Sequence, residues 1–174
     1  MSQINHKQLN ELGNQLQERG LSLAFVESMT AGFMSSVWSL QVNAGACLKG
    51  GIVCFHESVK TDLLKVPASL IEQYTAESME VTMAMLDGLK KLIDAEIYFS
   101  ITGRAYEGDE PNPHTAEGEV FLICSCEEHI IQQRLYIANE NAADIYIETF
   151  NASLNILEEL LHLKSLYDHP LQES

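Results

Sequence analysis

Apolar positions along this chain follow two spacings, and their alternation sets out the expected elements. From Ile4 to Arg19, Leu9, Leu12 and Leu16 recur at steps of three and four, predicting an amphipathic helix stopped by Gly20. Leu21 to Val26 is a continuous apolar run of strand length and reads as a buried strand. Ala31 to Leu40 reads as a helix, with the hydroxyl of Ser28 or Thr30 placed to cap it. Gly50 to Phe55 reads as a second strand, and Ser58 to Leu64 as a short helical turn ending before Pro67. The clearest helix spans Ala76 to Ile93, where Met79, Met83, Leu86, Leu89 and Ile93 share one face. Glu96 to Thr102 reads as a third strand, with a loop from Gly103 to Gly118 behind it. Glu119 to Cys126 and Ile130 to Ala138 read as an antiparallel pair turning at Glu127-Glu128-His129. Ile147, Phe150, Leu154, Leu157 and Leu161 mark a long C-terminal helix, with a frayed tail over 167–174.

Strands alternating with helices predict an α/β fold: a three-layer α/β/α sandwich on a partly parallel mixed sheet, with a C-terminal β-hairpin and a long C-terminal helix. The 174 residues read as one domain, 1–174, with no internal repeat and no linker.

Charge narrows the partners. The net charge of −15 repels nucleic acid and anionic membranes, so neither is expected. Any anionic ligand must be met by a cluster drawn from only 10 Lys and Arg residues. No apolar run is long enough to span a membrane, and the polar first twenty residues lack the core of a signal peptide. Cys47, Cys54, Cys124 and Cys126 are too few and too scattered for a disulfide scaffold, which predicts reduced thiols and a cytoplasmic location. Cys124 and Cys126 share a strand face but lack the further ligands of a metal site, so core packing is the expectation and no metal is implied.

Candidate chemistry gathers where strands end. Three segments sit at predicted carboxyl ends: Glu27-Ser28-Met29-Thr30, Phe55-His56-Glu57 with Lys60, and Thr102-Gly103-Arg104. Ligands of open α/β sheets collect at that edge. A serine hydroxyl needs a base to take its proton, and Lys60 paired with Ser28 would make a Ser–Lys arrangement. Helix N-terminal amides near Thr30 to Gly32 would hold an oxyanion, with Thr30 and Thr102 lining the site. The plainer readings stay open beside this one: Ser28 and Thr30 as helix caps, Lys60 as a solvated lysine, Thr102 as a strand end.

The same residues carry a resemblance. The chain resembles the C-terminal domain of the CinA (competence/damage-inducible) family, the nicotinamide mononucleotide amidohydrolases of pyridine-nucleotide salvage, from roughly Leu9 to Leu163. Its Glu-Ser-Cys-Thr-Gly-Gly corner corresponds to Glu27-Ser28-Met29-Thr30-Ala31-Gly32, its Gly-Gly-Phe-Val-Thr-Tyr-Ser-Asn run to Gly50-Gly51-Ile52-Val53-Cys54-Phe55-His56-Glu57, with Lys60 and Asp62-Leu63-Leu64 following, and its Thr-Gly-Ile-Ala-Gly-Pro loop to Thr102-Gly103-Arg104-Ala105-Tyr106-Glu107. The resemblance implies hydrolysis of the nicotinamide carboxamide to the nicotinate nucleotide and ammonia, with Ser28 as nucleophile, Lys60 as the basic residue, and Thr30, Gly32, Phe55, Thr102, Gly103 and Arg104 binding substrate. It implies no cofactor, a small-molecule pyridine nucleotide as partner, and a homodimer.

The chain departs from the family pattern at this site. Phe55 replaces a tyrosine, His56-Glu57 a Ser-Asn pair, and Tyr106-Glu107-Gly108-Asp109 a Gly-Pro-Gly-Gly loop. The family's arginines before the last helix are missing, since no Arg follows Arg134. Arg104, with Lys60 and Lys49, is the candidate for a rebuilt anion pocket; the alternative pairs Arg104 with Glu107 or Asp109 of its own loop. Two functional readings follow: an amidohydrolase, or a catalytically degenerate member that serves as a binding or interaction module.

Overall fold

The computed structural model describes residues 1–106, 115–138 and 141–168, the last four without their side chains. In chain order the elements are α1 (His6–Arg19), β1 (Leu23–Glu27), α2 (Phe33–Ser39), a 3-10 turn (Ala44–Ala46), β2 (Leu48–Val53), α3 (Glu57–Asp62), α4 (Ala68–Tyr74), α5 (Met79–Leu92), β3 (Ile97–Gly103), β4 (Glu119–Cys126), β5 (His129–Tyr136) and α6 (Ala142–Asp168).

One five-stranded mixed sheet carries the fold, in the order β2-β1-β3-β4-β5. The pairs β1–β2 and β1–β3 are parallel, whereas β3–β4 and β4–β5 are antiparallel. β1 is buried along its whole length, so its side chains feed two cores in alternation. Leu23 and Phe25 point into a core shared with α1, α2 and α6, where Phe25 stacks on Phe99 with ring centroids 5.1 Å apart. Ala24 and Val26 point into the opposite core, filled by Leu64, Val81, Met85 and Leu89 from the α3–α5 side. Helices therefore cover both faces of the sheet, the three-layer arrangement that the sequence predicts.

Caps fix most of the boundaries. Asn5 accepts the Gln8 N–H at the start of α1, and Gly20, with φ +65°, closes it in a left-handed turn. α5 starts at Met79, three residues later than its periodicity predicts, because Ser78 accepts the Val81 N–H as its cap. α4 is not legible from periodicity, since it is 7 residues long, under two turns. No helix among the described residues is long and apolar enough to cross a membrane.

Candidate active site at the end of β1

The ends of β1 and β2 lie side by side, with Glu27 paired to Val53. The parallel ladder continues one step further, as the Cys54 N–H donates to the Glu27 carbonyl at 2.8 Å. On the other side the Ser28 N–H donates to the Ile101 carbonyl of β3 at 3.0 Å. These two bonds hold Ser28 where the sheet stops and its side chain turns toward the α3 face.

α3 begins almost at once after β2. His56 caps it, its Nδ1 accepting the Ser58 N–H at 3.2 Å. Lys60 is four residues into this turn and its side chain curls back to the strand ends. The ammonium donates to Ser28 Oγ at 2.9 Å and to the Cys54 carbonyl at 3.2 Å. Lys60 is 2% exposed and Ser28 7%, so a hydroxyl and an amine 32 residues apart in sequence meet nearly out of water. A solvated Lys60 is excluded by this burial.

The helix cap is a correction to the sequence reading. Neither Ser28 nor Thr30 caps α2; its N-cap is Gly32 at φ +96°, with no side-chain cap bond. The anion that satisfies this helix end is Glu27, fully buried at the end of β1. Its carboxylate accepts the N–H groups of Gly32 at 3.0 Å, Met34 at 3.1 Å and Ser35 at 2.9 Å, and the hydroxyls of Thr30 at 2.8 Å and Ser35 at 2.6 Å. A carboxylate at a helix N-terminus is favoured by the unpaired N–H groups and the helix dipole. The Gly32 amide expected for an oxyanion therefore already serves Glu27. The N–H groups of Met29 and Thr30 donate to no main-chain acceptor among the described residues. Glu27 is the residue that sequence reasoning missed. Its position five residues before Gly32 matches no capping-box spacing, and only the chain reversal through Met29–Ala31 brings it to the helix end.

Thr102 is fully buried and its hydroxyl meets that of Thr82 on α5 at 2.7 Å. Thr82 donates to the Ser78 carbonyl at 2.6 Å, which leaves Thr102 as the donor of the pair. Gly103 allows a close approach: a Cβ there would sit 2.5 Å from the Glu119 carbonyl and 2.6 Å from Met29 Sδ. Met29 is thereby buried against β3 and its neighbour Ser28 is fixed.

Two aromatics follow the strand ends that build the corner, Phe55 next to Cys54 and Tyr106 three residues past Gly103. Phe55 and Tyr106 are each 52% exposed. Tyr106 lies near Tyr146, and burial together with Tyr106 raises the Tyr146 hydroxyl above its ordinary value. Tyr146 in turn packs on Phe33 at 5.9 Å between centroids. Arg104 Nε donates to the Tyr106 carbonyl at 3.3 Å, within its own loop. Glu107 and Asp109, its proposed alternative partners, lie outside the described residues. Lys49 does not join Lys60: it sits at the start of β2, where it attracts Glu96 at the opposite edge of the sheet. The four cysteines are buried and form no disulfide, and burial raises Cys124 well above its ordinary value, with Cys126 adding to the effect.

Comparison with known proteins follows the same outline. The family model described as the CinA C-terminal domain matches residues 5–161. A competence-damage inducible protein of Desulforudis audaxviator is 28% identical over 153 residues, which is 87% of this chain and 36% of that protein. One from Bacillus mycoides is 33% identical over 107 residues, 62% of this chain and 26% of its own length. The chain thus spans about a third or less of the length of these curated relatives. Among solved structures, the competence damage-inducible protein A of Klebsiella pneumoniae superposes with a TM-score of 0.83 at 24% identity, over 92% of this chain and 99% of that one. The competence-damaged protein (CinA) superfamily protein of Klebsiella pneumoniae 700603 gives a TM-score of 0.82 at 25% identity, over the same shares.

Proposed function

This chain belongs to the CinA C-terminal domain family, and from that premise we propose that it hydrolyses a carboxamide of the nicotinamide mononucleotide type. The observation that carries the reading is the buried contact of 2.9 Å between Lys60 Nζ and Ser28 Oγ. Serine is inert as a nucleophile until a neighbouring base accepts its proton, and an amine at hydrogen-bond distance meets that need once it is neutral. In this reading Ser28 Oγ attacks the carboxamide carbon and Lys60 takes the hydroxyl proton. The carbonyl oxygen becomes an oxyanion and turns to the N–H groups of Met29 and Thr30, which have no main-chain acceptor among the described residues. Lys60 then returns the proton to the leaving nitrogen, and ammonia departs as the C–N bond breaks. Water, deprotonated by the same amine, opens the Ser28 ester and gives the carboxylate product.

Ammonia release from nicotinamide mononucleotide and from its phosphate-free nucleoside tests this. Ser28→Ala should abolish release and leave the protein folded, because the main-chain bond from Ser28 to the Ile101 carbonyl survives and the side chain gives up only the bond it accepts from Lys60, a cost of about 1–3 kcal/mol. If neither compound releases ammonia with the wild-type protein, the hydrolase reading falls and a binding or interaction module is left.

A further inference from the structure

We propose that this site takes a pyridinium carboxamide that carries no phosphate, a nucleoside-type cation rather than a nucleotide; this deepens the amide-hydrolase reading and rests on it.

A phosphate dianion leaves water only for charge-assisted donors or a free helix N-terminus. The helix end beside Ser28 is filled, because the Gly32, Met34 and Ser35 amides all serve the Glu27 carboxylate. Side-chain cations do not make up the difference. Of the 10 Lys and Arg residues, Lys60 is held by Ser28 and the Cys54 carbonyl, and Arg104 is engaged by its own loop at Tyr106. Arg134 on β5, three strands away from β1, is paired with Glu119 of β4. Lys65 donates to the Asp62 carbonyl at the far end of α3, and Lys7 pairs with Glu11 along α1. The remaining five lie toward the opposite edge of the sheet, as shown by Lys49 beside Glu96, Lys90 over Tyr98 with Lys91 next to it, Arg19 on the Leu161 carbonyl, and Lys164 on Glu127. Residues 107–114 and 139–140 contain no Lys or Arg, while 107–114 contain Glu107, Asp109 and Glu110.

What the corner offers instead suits a flat cation. Phe55, next to the Cys54 carbonyl that Lys60 holds, and Tyr106, in the loop behind β3, are each half-exposed aromatics. A pyridinium ring is attracted to aromatic faces, and a chain of net charge −15 attracts a cation and repels a phosphate.

The test compares ammonia release from nicotinamide riboside and nicotinamide mononucleotide, at low salt and at about 0.5 M NaCl, where charge effects are screened. The riboside should show a kcat/KM at least about tenfold higher at low salt, the size of one missing charge-assisted contact. Turnover of the nucleotide should rise with salt as repulsion is screened. Equal or better turnover of the nucleotide, or its fall with salt, overturns the inference and leaves the hydrolase reading standing. If neither compound releases ammonia, the hydrolase reading fails, and calorimetric affinities of the wild-type protein decide the inference alone. Riboside binding tighter by about tenfold supports it; comparable binding, tighter nucleotide binding, or no binding of either overturns it.

Discussion

Replacing Glu27 by Gln probes the device that shapes the site. The carboxylate is fully buried and accepts five hydrogen bonds, three at Oε2 from Thr30, Gly32 and Met34 and two at Oε1 from Ser35. Glutamine keeps the volume but supplies one acceptor oxygen. Its best placement turns that oxygen toward Thr30, Gly32 and Met34 and leaves its NH₂ facing Ser35. The Ser35 hydroxyl can rotate and accept, but the Ser35 N–H cannot. One part-buried main-chain donor then loses its partner, a cost of about 1–3 kcal/mol. Loss of the negative charge at the helix N-terminus adds about 1–2 kcal/mol in a buried setting. The neutral amide is easier to dehydrate, which offsets part of this. The expected destabilisation is about 2–4 kcal/mol, or a melting point lower by roughly 5–12 °C for a chain of this size. Urea titration with unchanged m-value measures it. A loss under about 1 kcal/mol would refute the claim that the Glu27 carboxylate satisfies the start of α2.

Three further perturbations follow from the same geometry. Ala31 holds a left-handed φ of +49° with an exposed side chain, so Ala31→Gly should raise stability by about 0.5–1 kcal/mol in denaturant titration, and a loss would show that its Cβ makes contacts worth more than the strain. Lys60→Met keeps the stem and removes the amine; ammonia release should fall roughly 10²–10⁴-fold while stability moves by less than about 1 kcal/mol, since a buried charge leaves with its bonds. Unchanged turnover would remove Lys60 from the chemistry. Burial pushes the Cys54 thiol up to about 11 from its ordinary 9.0. The unfolded chain therefore ionises first, so this contribution to stability is intact below pH 9.0 and lost as pH climbs toward about 11. Cys54→Ala should flatten that alkaline limb in melting curves recorded across this range.

Much of the fold was legible because its elements bury strongly periodic faces. Leu9, Leu12 and Leu16 in α1, and Leu86 and Leu89 in α5, all lie in the cores that their spacing predicts. α4 was not, because seven residues behind Pro67 carry too few apolar positions to show a period. The proximity of Ser28 and Lys60 was legible as a possibility, since both follow parallel strands and such strand ends converge at one edge. The role of Glu27 was hidden for a different reason. An acidic residue ending an apolar strand reads as the place where burial stops, and only the tertiary turn shows the charge sealed inside with five donors around it. The misassigned cap of α2 has the same origin, because local rules favour the hydroxyls of Ser28 and Thr30 and take no account of a carboxylate arriving from the strand. Lys49 was misplaced because its charge was weighed alone, although it precedes the strand expected over Gly50 to Phe55 and so lies at the end away from the site.

The internal carboxylate at the start of α2 has a consequence for how the corner meets a ligand. Its dipoles are aligned and saturated before anything arrives, so the frame bearing Ser28 is preorganised and needs no rearrangement on encounter. In the proposed hydrolase, selectivity would then rest with the parts not tied to that frame, such as the half-exposed Phe55 and Tyr106. Adaptation of this scaffold to a new amide would proceed by changes at such residues, with the Glu27 anchor left intact.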